Sequence, residues 1–165
     1  MAQTLNNLRA LFDEQLKDAY SAESQILEAL PKMRDAATDE SLRQAFADHL
    51  DETREQAMRL QEVCAKLGIT PTGHRCKAMA GIIAEGSEVL NDDKSDPNVR
   101  DAALICAAQK VEHYEMALYG CLCSYAESLN LHDVAETLEQ TLEEEKATDL
   151  KLTELAEGRI NAAAG

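Results

Sequence analysis

The stretch Gly68-Ile69-Thr70-Pro71-Thr72-Gly73-His74-Arg75-Cys76-Lys77-Ala78-Met79-Ala80-Gly81-Ile82-Ile83-Ala84-Glu85-Gly86-Ser87-Glu88-Val89-Leu90-Asn91-Asp92-Asp93-Lys94-Ser95-Asp96-Pro97 separates two regions of much longer periodicity. Pro71 and Gly73 break the chain. Met79, Ile82, Ile83, Gly86 and Leu90 then recur at helical spacing and mark a short amphipathic helix. Asn91 to Pro97 is a polar linker whose end reads as an N-cap Asp followed by Pro at the first helical position. Residues 69–96 therefore form a crossover of roughly 30 residues, too long for a tight reversal.

On the N-terminal side, the spacing predicts a helix from about Thr4 to Arg34, with Leu5, Leu8, Phe12, Leu16, Ala19, Ile26, Leu30 and Met33 on one stripe. Ala36 to Asp39 is a short turn with Thr38 as its candidate N-cap. A second helix carries Leu42, Ala45, Phe46, His49, Thr53, Leu60, Val63 and Leu67, and Gly68 is placed to end it in a left-handed cap. On the C-terminal side a helix spans Pro97 to Leu129, with Val99, Ala102, Cys106, Gln109, His113, Met116, Gly120 and Cys123 expected on one side. Asn130 to His132 is a tight reversal, and Val134, Leu138, Leu142, Leu152 and Leu155 mark a last helix. Short turns force antiparallel neighbours, so residues 4–68 and 97–158 read as two helical hairpins joined by the crossover. One all-α domain results, a ferritin-like four-helix bundle with a short extra helix in its crossover.

Composition agrees. Apolar residues make up 45% of the chain but aromatics only 4%, so the core is built from the aliphatic side chains that fill helix–helix interfaces. With 31 acidic against 16 basic residues, the net charge of −15 repels phosphate backbones and anionic lipid and attracts cations. Neither a nucleic-acid nor a membrane partner is expected. No apolar run approaches the roughly 18 residues of a membrane span, and the first residues lack a basic, then apolar, export pattern. Cys64, Cys76, Cys106, Cys121 and Cys123 form no regular framework and read as reduced, buried thiols, which points to the cytoplasm. No phosphate-binding Gly-rich loop or paired metal-protease histidines occur.

Several polar residues interrupt the apolar stripes at one height. Residues equally far from a hairpin turn lie side by side. Glu23 and Glu52 are each about 15 residues from the first turn, with His49 one turn nearer. Glu112 and Glu115 match Glu144 and Glu145 about the second. His49 and Glu52 share a face, as do Glu112 and Glu115. Mid-height is the level both hairpins share, so four helices would each bring a carboxylate to one layer. Buried carboxylates are costly unless paired, protonated or metal-bound, and few basic residues fall on these stripes. Oxygen and imidazole donors suit iron or manganese. The plainer reading is that acids on long helices form a solvated face, and that a lone histidine on an apolar stripe is a core histidine. Tyr20, Tyr114 and Tyr119 are candidates to pack beside the layer.

Longer runs carry a resemblance: Asp18-Ala19-Tyr20-Ser21-Ala22-Glu23, His49-Leu50-Asp51-Glu52-Thr53, Ala107-Ala108-Gln109-Lys110-Val111-Glu112-His113-Tyr114-Glu115 and Thr141-Leu142-Glu143-Glu144-Glu145-Lys146-Ala147-Thr148-Asp149. Over nearly its full length the chain resembles the YciE/YciF-type stress proteins of the ferritin-like superfamily, the YciF type most of all. The resemblance implies a homodimer, a role in stress responses, and a dinuclear iron or manganese site acting on dioxygen or a small oxidant such as peroxide. Glu23, Glu52, Glu112 and Glu145 are its implied ligands, with His49 and Glu115 either ligands themselves or supports of the ligands; it assigns no catalytic residue. Two departures stand out: His49-x-x-Glu52 reverses the superfamily's Glu-x-x-His order, and Thr148 stands where a histidine would follow Glu145. Two further readings stay open, a metal-free helical stress protein with an inherited acidic core and a hollow storage shell. The roles of Glu85, Glu88, Glu144 and Asp149 are also open.

Overall fold

The computed structural model describes residues 5–91 and 94–165. Four long helices and a shorter one follow in order: α1 Leu8–Ala36, α2 Glu40–Leu67, the shorter α3 Lys77–Leu90, α4 Pro97–Ser128 and α5 His132–Leu155. A π turn at Ala156–Ile160 and a last short helix, α6 Asn161–Ala163, carry the chain past the expected end of the second hairpin.

The helix boundaries follow local capping chemistry. Asn7 accepts from the Ala10 amide at 2.8 Å and starts α1; the expected start at Thr4 lies outside the described residues. Asp39, not Thr38, caps α2, accepting from the Ser41 and Leu42 amides. The amide and hydroxyl of Thr38 are instead drawn to Asp101 on α4. Gly68 ends α2 at φ 71°, the left-handed conformation that costs a glycine little. Asp96 accepts from the Asn98 amide and Pro97 opens α4, as its sequence predicts; Asp92 and Asp93 of that linker lie outside the described residues. Asn130 takes φ 58° in the reversal to α5.

The two hairpins, α1/α2 and α4/α5, pack as a four-helix bundle, and α3 lies across α1 and α4. A thiol starts that crossover helix: Cys76 Sγ accepts from the Met79 amide, while Ser21 and Gln25 on α1 bond the Cys76 backbone. Asp18 adds a second anchor, joining His74 at 2.7 Å and receiving the Tyr114 hydroxyl.

The buried apolar side chains fall into two groups. One contains Ile26, Leu30, Phe46, Leu50, Ile105 and Val111. The other contains Phe12, Leu16, Leu60, Val63, Leu122 and Leu138. Between them, at the same height on all four bundle helices, lies a layer of buried polar side chains.

Two expectations need correction. The buried side of α4 is not the one containing Val99, Cys106 and His113, which are exposed, but the one containing Leu104, Ile105, Ala108, Val111, Leu118 and Leu122. That helix packs against α1, α3 and α5 and carries apolar residues nearly all round, so periodicity does not single out one stripe. The cysteines are all unpaired, but only Cys64 and Cys76 are buried; Cys106 and Cys121 are exposed. No helix of the described residues is long and apolar enough to cross a membrane.

Asp101 is buried and accepts three bonds, from the Thr38 amide, the Thr38 hydroxyl and the Asp39 amide, at 2.6 to 2.8 Å. It joins the turn of one hairpin to the first turns of the other. Replacing Asp101 by Ala removes three bonds to donors that are only partly buried, and should lower unfolding free energy by about 2 kcal/mol. A urea titration measures it, and Asp101→Asn should lose clearly less.

Candidate metal centre

The polar layer takes Glu23 from α1, His49 from α2, Glu112 and Glu115 from α4, and Glu145 from α5. All five are buried. His49, Glu112, Glu115 and Glu145 each bring a ligand atom to within 4.8 Å of all the others. Glu23 joins them from the side, held by the Tyr119 hydroxyl, which donates to its Oε1. At this separation two carboxylate charges repel by on the order of 3 kcal/mol, taking an effective dielectric constant of about 20. No lysine or arginine among the described residues pairs with any of the four glutamates.

Hydrogen bonding leaves the layer unsatisfied. Glu23 Oε2, Glu112 Oε2, both carboxylate oxygens of Glu115 and Glu145, and both ring nitrogens of His49 are buried without a partner. Outside the layer's ligand atoms only Gln56 Oε1 and Arg100 Nε share that condition among the described residues. His49 Nε2 lies 3.3 Å from Glu112 Oε1, a charge contact without hydrogen-bond alignment. Unpartnered buried polar atoms are rare in folded proteins, so their concentration in one layer singles it out as the candidate site. All these donors are oxygen or imidazole nitrogen, and no thiol is among them. The set fits hard or borderline divalent cations.

Electrostatics records the same strain. Burial pushes the Glu23 carboxyl up to about 7, although the Tyr119 bond and the His49 charge pull it down. Burial also holds Glu115 and Glu145 well above the usual carboxylate range, with neighbouring glutamates adding to the rise. Burial alone would lower the His49 imidazole, but the charge and contact of Glu112, with Glu52 and Glu145, together outweigh it and raise it. The Tyr119 phenol is raised by burial and by Glu23, so it stays a donor.

Glu52 does not enter this layer. Its side chain is 47% exposed, with Oε2 3.7 Å from His49 Nδ1 and receiving the Thr148 hydroxyl at 3.4 Å. Three residues along a helix turn a side chain about 60° away, which carries Glu52 from the core to the groove between α2 and α5. Glu115 stands at the same offset from Glu112 yet stays buried, because α4 is covered on three sides. Thr148 faces Glu52 at this rim rather than the dry layer.

Residues left open by the sequence now have partners. Glu144 is held below the usual carboxylate range, against its burial, by the two-pronged Arg59 guanidinium at 2.7 Å and by Gln56. That pair closes the layer toward the surface on the α2–α5 side. Asp149 receives Gln109 and lies 3.3 Å from His113, outside the layer. Glu85 bonds Lys110 and is exposed, as is Glu88, so both face solvent. Of the three candidate tyrosines, Tyr119 touches the layer, Tyr114 bonds Asp18 and Cys76, and Tyr20 accepts from Gln61 at the surface. The Tyr119 contact was readable in part, since it lies four residues after Glu115 on one helical face.

Comparison with known proteins agrees with this architecture. The family described as Domain of unknown function (DUF892) matches residues 7–165. The chain belongs to that family. Protein YciF of Escherichia coli K12 is 46% identical over 158 residues, covering 95% of both chains. The crystal structure of the E. coli stress protein YciF superimposes with a TM-score of 0.90, covering 95% of this chain and 99% of that one. Described as ferritin-like, diiron-carboxylate proteins, a structure from Bacillus anthracis matches at TM-score 0.71 and 15% identity, over 92% of this chain and 99% of that one. At that identity it shows the fold alone, a ferritin-like bundle.

Without a cation, the layer should make stability fall as pH rises. Glu23 titrates at about 7 folded and near 4.5 unfolded, so the folded chain holds the extra proton between those values. Its contribution is complete below about 4.5 and is lost as pH climbs to 7, by roughly 3 kcal/mol. Raised Glu115 and Glu145 act in the same direction. Urea unfolding of chelator-treated protein at pH 5 and pH 8 checks this. In that state Glu115→Gln should flatten the dependence and stabilise at pH 8.

Proposed function

We propose that the buried layer binds two divalent metal ions, iron or manganese, and that the protein acts on dioxygen or peroxide during stress. The observation that carries this reading is the set of unpartnered oxygens and imidazole nitrogens enclosed between two apolar halves of the core. Four ionised carboxylates match the charge of two divalent cations, and with His49 they supply donors from every bundle helix. The stress role follows from the likeness to the E. coli stress protein, and the diiron description of the B. anthracis neighbour points the same way. The working unit is taken to be a homodimer.

Bound there, such a pair supplies redox equivalents and coordination sites for a small oxidant. The chain's own residues have roles of their own. Glu23, Glu112, Glu115 and Glu145 would hold the ions, with His49 as the nitrogen ligand. Tyr119 fixes Glu23 through its hydroxyl and keeps a proton beside the layer. The Thr53 hydroxyl turns back to the His49 carbonyl at 2.8 Å and so does not compete for the ring. Glu52, half out of the core and 3.7 Å from His49, is placed to pass cations inward from the α2–α5 rim.

Fe(II) or Mn(II) added anaerobically to chelator-treated protein should bind at two per chain and raise its melting temperature. At a hundredfold excess over Kd the stabilisation is about 2.7 kcal/mol. Glu145→Gln and Glu115→Gln should weaken uptake roughly 10- to 100-fold and remove that stabilisation. Glu52→Gln should slow uptake more than it lowers the final stoichiometry. Folded protein that takes up neither metal would overturn the proposal and leave the metal-free stress protein standing.

A further inference from the structure

The two departures from the superfamily's spacing meet at one place. Thr148 stands where a histidine would follow Glu145, and its hydroxyl donates to Glu52 Oε2 at 3.4 Å. That same carboxylate oxygen lies 3.7 Å from His49 Nδ1. The other ring nitrogen, Nε2, faces the layer, 3.3 Å from Glu112 Oε1. The imidazole therefore stands between two carboxylates, one inside the core and one at its rim. His49 is only 3% exposed, and both of its nitrogens are buried without a hydrogen bond.

A neutral imidazole carries one lone pair and one N–H, and the group facing one nitrogen decides what the other can do. For Nε2 to offer its lone pair to a cation in the layer, the ring proton has to sit on Nδ1. A buried N–H is costly without an acceptor. Glu52 Oε2 is the charged oxygen on that side of the ring. At 3.7 Å it stands beyond hydrogen-bond length, but Glu52 is half exposed and held only by the long bond from Thr148 among the described residues. A side-chain movement of about 1 Å closes the contact. The reversed His49-x-x-Glu52 order thus sets a carboxylate behind the ring, as seen from the layer, and not beside it.

We propose that Glu52 is a positioning residue, which keeps the His49 proton on Nδ1 and so turns the Nε2 lone pair toward the layer, with Thr148 holding Glu52 in place. This rests on the metal-centre reading and deepens it, by giving the one nitrogen ligand the carboxylate partner that metal-bound histidines ordinarily have. Charge and acceptor oxygen then have separate uses in one side chain. The charge of Glu52 draws cations to the α2–α5 rim, and its oxygen orients the ring.

Glu52→Gln and Glu52→Ala lose the same charge, but only the glutamine replacement keeps an acceptor. The test is NMR of the full, chelator-treated chain carrying nitrogen-labelled histidine, with a Mn(II) titration beside it. Wild-type protein should show a His49 Nδ1 proton protected from exchange, assigned by its disappearance in His49→Gln. Glu52→Gln should keep that proton and bind Mn(II) within about threefold of wild type at equilibrium, whereas Glu52→Ala should lose it and bind roughly 10- to 100-fold more weakly. Thr148→Val should weaken binding about threefold. Circular dichroism verifies folding, which a change at this half-exposed position should leave intact. A protected Nδ1 proton that persists unchanged in Glu52→Ala, or none in wild type, overturns the proposal. Equal weakening of Mn(II) binding by the two Glu52 variants overturns it as well, because charge alone then accounts for the residue. The proton is read without metal, so it decides the matter even in a protein that takes up no Mn(II), and failure of the metal-centre reading is told apart from failure of this one.

Discussion

Four carboxylates with only the His49 imidazole as a counter-charge, enclosed between two apolar halves of one core, set the terms for the rest of this molecule. Glu23, Glu112, Glu115 and Glu145 come from three helices, and each is buried. Taking one ion of this kind out of water costs several kcal/mol even after relaxation. A domain of this size has a total stability of only about 5–15 kcal/mol. Such a layer persists only if protons or cations neutralise it. The raised Glu23, Glu115 and Glu145 describe the proton-loaded state, and the unpartnered oxygens describe the geometry a cation would fill.

The rest of the fold holds that layer in register. Asp101 ties the α1–α2 turn to the start of α4, so the two hairpins cannot slide along one another without breaking three bonds to its carboxylate. Asp18, Ser21 and Gln25 fasten the crossover to α1, and Cys76 starts α3 from that anchor. The crossover is thereby more than a connector. It lays α3 over the α1–α4 groove, covering the layer on one side while small residues keep a cavity beneath it. On the other side, Arg59 and Glu144 close the α2–α5 groove by direct ion pairing and leave Glu52 at the rim.

Much of this was legible from residue spacing. Caps and breakers at Gly68, Asp96 and Pro97 delimit the crossover, and the long crossover selects the topology. Height along the hairpins brings Glu23, His49, Glu112, Glu115 and Glu145 to one layer, because antiparallel geometry makes distance from a turn a measure of depth. Rotation about each helix was less legible. On α4 apolar residues occur nearly all round, so the buried side could not be read from period alone. On α2 a single residue step decides between core and groove, and Glu52 falls on the outer side. Contacts between distant segments, such as Asp101 with Thr38 or Arg59 with Glu144, leave no local pattern and emerge only when the helices pack.

The central claim concerns position: cations belong inside the layer, among acids most of whose oxygens have no partner in the chain. Anomalous diffraction from crystals grown with Mn(II) tests it most directly. Two anomalous peaks enclosed by Glu23, His49, Glu112, Glu115 and Glu145 are the predicted result. Peaks confined to surface carboxylates, with the buried glutamates bonded to one another through protons, would contradict it.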